Sequence, residues 1–81
     1  MFKVLIMNGN MQGEHQIIFE GDAASVLLPG DEGEFEILDF HKPIVSRLKK
    51  GYILVDNDKD YLIREGVAKF SQQKLVAMVE V

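Results

Sequence analysis

The sequence contains no cysteine, and nowhere does it concentrate positive charge. Without cysteine, disulfide scaffolds, thiolate metal sites and cysteine nucleophiles are excluded. Nine basic residues stand against thirteen acidic ones, so the net charge is −4. The basic residues are scattered apart from the pair Lys49 and Lys50, whereas binding to a phosphate backbone needs a concentrated basic face. We therefore expect no nucleic-acid partner.

The chain also lacks a long apolar run. Its longest stretch without a charged residue is far shorter than the roughly 20 apolar residues that a membrane-spanning helix needs. The amino end shows no signal-peptide h-region followed by small residues. The 81 residues are 47% hydrophobic and 27% charged, which is the balance of a folded soluble chain. We expect a single domain over residues 1–81, cytosolic unless another protein carries it to a membrane.

Runs of β-branched and aromatic residues, broken by Gly, Pro, Asn and Asp, predict β-strands along almost the whole chain. Closely spaced strands without an intervening helix predict an all-β fold, an antiparallel β-sandwich of about 8–10 short strands. A helical turn over residues 46–50 stays open as an alternative. Turns are expected at residues 8–14 and 56–60. The predicted strands cover residues 2–7, 15–19, 24–28, 35–38, 44–48, 52–56, 61–65, 67–70 and 75–81.

Two of the predicted strands are apolar on both faces. The segments KVLIM (3–7) and LVAMVEV (75–81) place apolar side chains at neighbouring positions, which point to opposite faces of a strand. One face packs against the core, so we expect the other to be covered as well. The rim of the second sheet or another subunit would provide this cover, and we favour another subunit for part of it.

Metal-binding patterns are incomplete. Asp56, Asp58 and Asp60 have the alternating spacing of a calcium loop, but the glycine and the bidentate glutamate that complete such a loop are missing. A solvated hairpin turn is the favoured interpretation. His15 and His41 lack cysteine or patterned carboxylate partners. We expect no metal site and no cofactor.

Catalytic patterns are incomplete too. The serines lie in or beside strand-like runs without the Gly-x-Ser-x-Gly elbow of a hydrolase. The carboxylates in LLPGDEGEFEILDFHKPIV (27–45) occupy a turn that is expected to be exposed, whereas a general acid needs a buried carboxyl with a shifted pKa. The glycines of PGDEGE suit a phosphate loop, but its three carboxylates would repel phosphate. We expect no enzymatic activity and no small-molecule substrate, and an acidic turn that suits a cationic or amide-rich partner loop.

The run FEGDAASVLLPGDEGEFEILDFHKPIVSRLKKGYI (19–53) resembles the amino-terminal β-sandwich of the epsilon subunit of F-type ATP synthase, called delta in mitochondria. The terminal strands and Gly66 extend this resemblance to essentially the whole chain. Fifteen residues fall on the family's pattern without a gap, namely Phe19, Gly21, Gly30, Gly33, Glu34, Phe35, Ile37, Leu38, His41, Pro43, Ile44, Val45, Leu48, Gly51 and Ile53.

The resemblance implies a non-catalytic rotor subunit at the foot of the central stalk, between the gamma subunit and the membrane c-ring. Rotation of the ring, driven by protons or sodium ions, would pass through gamma to catalytic sites on other subunits. It also implies a peripheral location on the cytoplasmic face of the membrane, without a transmembrane segment. The implied residues are Asp31, Glu32, Gly33 and Glu34 for the c-ring, His41, Lys42 and Pro43 for gamma, and Gly21, Gly30, Gly51 and Gly66 as turn or structural glycines.

The sequence departs from the family in two ways. Glu36 stands where the family often has Gly, Asp39 and Phe40 replace Pro-Gly, and Lys42 replaces Ala, so partner contacts are expected to differ. The family commonly continues into a C-terminal helical hairpin that restrains ATP hydrolysis, and this sequence stops at Val81. We therefore expect support of coupling without the extended inhibitory contact. The alternative is a stand-alone β-sandwich binding or adaptor module that has lost the stalk role.

Overall fold

A computed structural model of the chain describes residues 1–9 and 15–81. These residues form nine β-strands and no helix, so the all-β prediction is confirmed. Most of the turn predicted at residues 8–14 lies outside the described residues. The strands are β1 (Phe2–Gly9), β2 (His15–Ala23), β3 (Ser25–Gly30), β4 (Gly33–Leu38), β5 (Ile44–Leu48), β6 (Gly51–Val55), β7 (Lys59–Ile63), β8 (Glu65–Ser71) and β9 (Lys74–Glu80).

The strands form one curled sheet whose two halves enclose the core. β2, β1, β9, β8 and β5 make up one half, and β4, β3, β6 and β7 make up the other. The pairing of Gly30 with Leu48 joins β3 to β5 and so connects the halves. At the outer edges, the rings of Phe19 in β2 and Tyr61 in β7 lie with centroids 6.0 Å apart. The two halves therefore also meet through side chains on this side.

The pairing of β1 with β9 is parallel, whereas the other strand pairs are antiparallel. Lys3 lies opposite Lys74, and the register runs without a shift to Asn8 opposite Val79. The expected antiparallel sandwich thus contains one parallel pair, formed by the first and last strands. Hydrophobic alternation predicts which face of a strand is buried, but it does not determine which strand becomes its neighbour.

The alternation of apolar residues within the strands produces the core. Some strand bounds differ from the prediction: β2 continues through Gly21 to Ala23, and β4 begins at Gly33. The strand predicted over residues 44–48 is confirmed, so the alternative of a helical turn from Ser46 is wrong. The buried hydrophobic side chains belong to one cluster, and neither half can exclude water from them alone. The core residues are Phe2, Val4, Ile6, Ala23, Val26, Leu28, Ile37, Leu48, Ile53, Val55, Ile63, Ala68, Phe70, Leu75, Ala77 and Val79.

The connections between strands gather at two opposite ends of the sandwich. The Asp31 end, as we name it, holds residues 31–32, 49–50 and 64, because Gly30 pairs with Leu48 and Leu48 with Gly66. The His41 end holds residues 39–43, 56–58 and 72–73, which connect the opposite ends of the same strands. Each end therefore brings together several turns that connect paired strands.

Candidate partner interface

The acidic turn lies at the Asp31 end, and its carboxylates are exposed. Asp31 and Glu32 connect β3 to β4, and Gly33 and Glu34 begin β4. Gly33 has a φ of 133°, a conformation that glycine adopts with little steric cost. The amide of Asp31 donates a hydrogen bond of 2.9 Å to the carbonyl of Arg47. The turn is thus fixed in position while its charged groups face solvent.

A basic turn, for which the sequence alone indicates no role, lies beside the acidic one. Lys49 and Lys50 connect β5 to β6 and are exposed. The amide of Lys49 donates to the carbonyl of Pro29 over 2.9 Å, which holds this turn against the end of β3. Asp31, Lys49 and Arg64 line one open groove at this end. The sequence shows the two adjacent lysines, but it does not show that the acidic turn lies beside them.

These neighbouring charges do not satisfy one another. Within residues 1–9 and 15–81, the charged groups at the Asp31 end form no ion pair with one another. The ion pair found in these residues joins the amine of Met1 to Asp39, at the other end of the molecule. The Asp31 end therefore presents carboxylates and cations side by side, available to a partner. Such a pattern is suited to a polar surface that itself carries both signs of charge.

The predicted gamma contacts, His41, Lys42 and Pro43, lie in the loop between β4 and β5. Nδ1 of His41 donates a hydrogen bond of 2.6 Å to the carbonyl of Lys42, and its ring lies edge-on to the buried ring of Phe70 at 6.0 Å. Lys42 and Pro43 are exposed. β4 has six residues, so its five steps of roughly 3.3 Å separate this loop from the acidic turn by about 17 Å. The two sets, near in sequence, belong to opposite ends.

Asp39 and Gln73 fix the start of this loop. Oε1 of Gln73 accepts a hydrogen bond of 2.7 Å from the amide of Phe40, and Nε2 of Gln73 donates to Oδ1 of Asp39 over 3.1 Å. Oδ2 of Asp39 accepts from the amine of Met1 over 2.9 Å. The hydrogen bond from this amine lowers the pKa of the Asp39 carboxyl below its usual value, aided by the bond from Gln73. The loop is therefore tied to the turn between β8 and β9.

An apolar face lies on the outside of the five-stranded half. Leu5 pairs with Val76, and Met7 pairs with Met78, so the outward residues of the two doubly apolar strands lie side by side. Their side chains are half-buried or exposed, and the described residues leave this face accessible. This surface, which we call the outer apolar face, consists of Leu5, Met7, Ile17, Val67, Val76 and Met78.

The carboxylate of Asp56 has a structural role that accounts for part of the DNDKD segment. Its Oδ1 accepts hydrogen bonds from the amides of Ala24 and Ser25, at 2.8 and 3.0 Å. Asp56 and Asn57 have φ values of 54° and 53° and form the turn into β7. In the part of the chain that the structure describes, His, Asp and Glu side chains form no group of three that suits a metal ion. Asp56 thus holds the turn between β6 and β7 against the start of β3, in keeping with the hairpin interpretation.

Of the four glycines implied by the resemblance, Gly30, Gly51 and Gly66 leave no room for a Cβ, whereas a Cβ on Gly21 would meet only the ring of Phe19 at 3.3 Å. Gly21 and Gly66 lie inside strands, while Gly30 ends β3 and Gly51 begins β6. A Cβ on Gly30 would lie 2.5 Å from the carbonyl oxygen of Gly33, and one on Gly66 would lie 2.6 Å from that of Met78. Real side chains do not approach backbone this closely, so neighbouring strands would have to separate.

In the described residues, no helix is long and apolar enough to cross a membrane.

Residues 13–81 match the family described as ATP synthase, Delta/Epsilon chain, beta-sandwich domain. The ATP synthase epsilon chain of Sulfurimonas denitrificans is 35% identical over 68 residues, which are 79% of this chain and 52% of that one. The epsilon chain of Nitratiruptor sp. is 41% identical over 68 residues, which are 79% and 53% of the two chains. The chain thus spans about half the length of these relatives.

Solved structures show the same fold at lower identity. A chain of the Euglena gracilis mitochondrial ATP synthase (OSCP/F1/c-ring) superposes with a TM-score of 0.74 at 19% identity, covering 98% of this chain and 51% of that one. A chain of the Tetrahymena thermophila mitochondrial ATP synthase (central stalk and c-ring) gives 0.67 at 12% identity, covering 98% and 64%. Since the family match extends over residues 13–81, this chain belongs to the family of ATP synthase delta/epsilon chain β-sandwich domains.

Proposed function

We propose that the chain is a non-catalytic subunit of the central stalk of a rotary F-type ATP synthase, linking the gamma subunit to the c-ring. The observation that carries this proposal is its similarity to named epsilon chains at 35% and 41% identity. Its location would be peripheral, on the cytoplasmic face of the membrane, through the assembled complex. The rotation that it transmits would be driven by protons or sodium ions.

The c-ring would contact the Asp31 end. Asp31, Glu32 and Glu34 present exposed carboxylates, and the neighbouring Lys49 and Lys50 add cations. Exposed pairs contribute little affinity singly, but a pattern of both signs selects one orientation of the partner and rejects others. A rotor contact needs such a defined register because a freely rotating attachment transmits no torque.

The gamma subunit would contact the loop of His41, Lys42 and Pro43 together with the outer apolar face. Burial of an exposed apolar surface supplies affinity, at roughly 25 cal/mol for each Å² removed from water. Met78 and Ile17 are exposed members of that face. The loop of His41 leads into β5 of the same five-stranded half, and its polar contacts would limit how gamma is oriented. This combination of an apolar centre and a polar rim is typical of specific protein interfaces.

The closed sandwich is suited to carry force between these two contacts. One core cluster fills the space between the halves, and close-packed interiors transmit strain with little deformation. We propose that residues 1–81 support coupling and assembly without themselves inhibiting ATP hydrolysis. Adding this 81-residue chain to an ATP synthase depleted of its epsilon subunit, and assaying hydrolysis, tests that part: strong inhibition would contradict it.

Affinity capture tests the proposed function directly. The chain, tagged at one terminus, is incubated with purified gamma and, separately, with the detergent-solubilised c-ring from the same source. The proposal expects gamma to bind at micromolar concentration or below. Failure of gamma to bind under these conditions would favour the alternative, a stand-alone binding or adaptor module with the same fold.

A further inference from the structure

Phe40 is a bulky aromatic residue in a backbone conformation that suits glycine. Its φ is 62°, and its side chain is 86% exposed. A residue of this size with positive φ is a genuine outlier. Outliers of this kind persist only where the surrounding structure imposes them, and they cluster at binding and switching sites. The ring lies in solvent, so no contact between the ring and the rest of the chain offsets the strain.

Gln73 supports the conformation of Phe40, together with a turn hydrogen bond of 3.2 Å from the amide of His41 to the carbonyl of Leu38. Oε1 of Gln73 accepts the amide hydrogen of Phe40 at 2.7 Å, while its Nε2 donates to Asp39 at 3.1 Å. Gln73 is itself fixed, because its carbonyl accepts a hydrogen bond of 3.0 Å from the amide of Lys3. A residue 33 positions away thus holds the backbone of Phe40 through one amide side chain. Hydrogen bonds within the chain thus hold this loop in place.

The resemblance implies glycine at position 40, where it would remove both the strain and the side chain. This chain instead holds a phenylalanine outward in a fixed direction. Leu38, two residues earlier, is also exposed, so the ring does not stand in a purely polar surrounding. An aromatic side chain presented in this way is typical of interface residues that contribute most to binding. Prior ordering of the loop reduces the conformational entropy lost on association.

We propose that Phe40 is a preorganised aromatic anchor that inserts into an apolar pocket on the gamma subunit. This inference rests on the proposed function, since it takes gamma to be the partner at the His41 end. Phe40 directly precedes His41, Lys42 and Pro43, and the acidic turn at the other end is out of its reach. A family member with glycine at this position would lack such an anchor, because glycine offers no side chain to insert.

The test compares Phe40→Gly, Phe40→Ala and Tyr52→Ala with the unmodified chain, measuring affinity for purified gamma by titration calorimetry and melting temperature by circular dichroism. Tyr52→Ala is the matched control, because it removes another exposed aromatic ring, 56% accessible, from β6. We expect both Phe40 variants to lose about tenfold or more in gamma affinity. Phe40→Gly should melt no lower than the unmodified chain because it relieves the strained φ.

The outcomes separate this inference from the proposed function. If the unmodified chain does not bind gamma, the proposed function fails and this inference fails with it. If the unmodified chain and both Phe40 variants bind gamma equally, only the inference fails. An equal loss for Tyr52→Ala would also overturn it, since the effect would then not be specific to Phe40. Sedimentation of the isolated chain tests whether Phe40 binds a second copy of the chain instead of gamma. If the chain forms a dimer that Phe40→Gly abolishes, the ring contacts that second copy and the proposal is overturned.

Discussion

The ring of His41 lies edge-on to the ring of Phe70, with centroids 6.0 Å apart and ring planes at 87°. Phe70 is buried and lies edge-on in turn to Phe2, at 5.4 Å and 86°. Edge-to-face pairs at these distances are favourable beyond the apolar area that they bury. A row of three rings thus connects the candidate gamma-binding loop to the centre of the core, and the position of the loop depends on that packing.

His41→Ala should therefore destabilise the fold and displace the loop. Loss of the ring contact and of the bond to the Lys42 carbonyl should lower the free energy of unfolding by about 1 kcal/mol, and gamma affinity should fall several-fold. His41→Phe is the matched variant, since it keeps a ring against Phe70. Urea denaturation and gamma titration of both variants measure these effects. Unchanged stability of His41→Ala would show that the ring contact does not support the loop.

Asp56→Ala should destabilise the chain by about 1–2 kcal/mol, because the amides of Ala24 and Ser25 lose their acceptor. Alanine also tolerates the positive φ at this position poorly. Asp58→Ala, in the same turn, is the control and should have little effect. Thermal unfolding of each variant measures the difference. Addition of millimolar calcium should leave the melting temperature unchanged, and a clear rise would revive the calcium-loop alternative.

Gly66→Ala should lower the free energy of unfolding by about 1–3 kcal/mol. Its Cβ would lie 2.6 Å from the carbonyl oxygen of Met78 on β9, so β8 and β9 would have to separate. Val67→Ala, the neighbouring exposed position, serves as the control and should cost less than about 1 kcal/mol. Denaturant titration distinguishes the two. Equal effects would indicate that β8 and β9 pack less closely than the structure shows.

Charge reversal at the Asp31 end should weaken c-ring binding for either sign of charge. Glu32→Lys and Lys50→Glu each remove a group that the proposed contact uses, so each should reduce affinity by several-fold at low salt and less at high salt. Asp58→Lys is the control for Glu32→Lys, since it changes the net charge equally at the opposite end. Binding to immobilised c-ring across a salt series measures this. If Lys50→Glu binds normally, the basic turn has no part in the contact.

The positions of the strands were largely predictable from the sequence because strand signals are local. Alternating apolar residues and turn-forming residues predicted nine strands near their observed bounds, and the doubly apolar segments predicted the outward row that includes Leu5, Val76 and Met78. Gly21 misled the prediction, since a glycine inside a strand looks like a turn when its surroundings are unknown. Its position within β2, two residues before the strand ends, depends on pairing with Val4.

The composition of the candidate site was less predictable because it depends on contacts between distant residues. The basic turn at Lys49 reaches the acidic turn through the pairing of Gly30 with Leu48. Likewise, the strained conformation of Phe40 depends on Gln73, far along the chain. The parallel pairing of β1 with β9 joins the first and last strands of the chain. Such long-range relationships follow from the topology of the sheet and leave no periodic signal in the sequence.

Simultaneous binding of gamma and the c-ring to one chain tests the central claim most directly. The chain is immobilised, gamma is bound to saturation, and detergent-solubilised c-ring is then added while the bound mass is followed. Because the loop of His41 and the acidic turn lie at opposite ends of β4, the account predicts that the gamma-saturated chain still binds the c-ring, and that Glu32→Lys reduces only the second step. Competition between gamma and the c-ring for one surface, or the absence of binding by both at micromolar concentration, would contradict it.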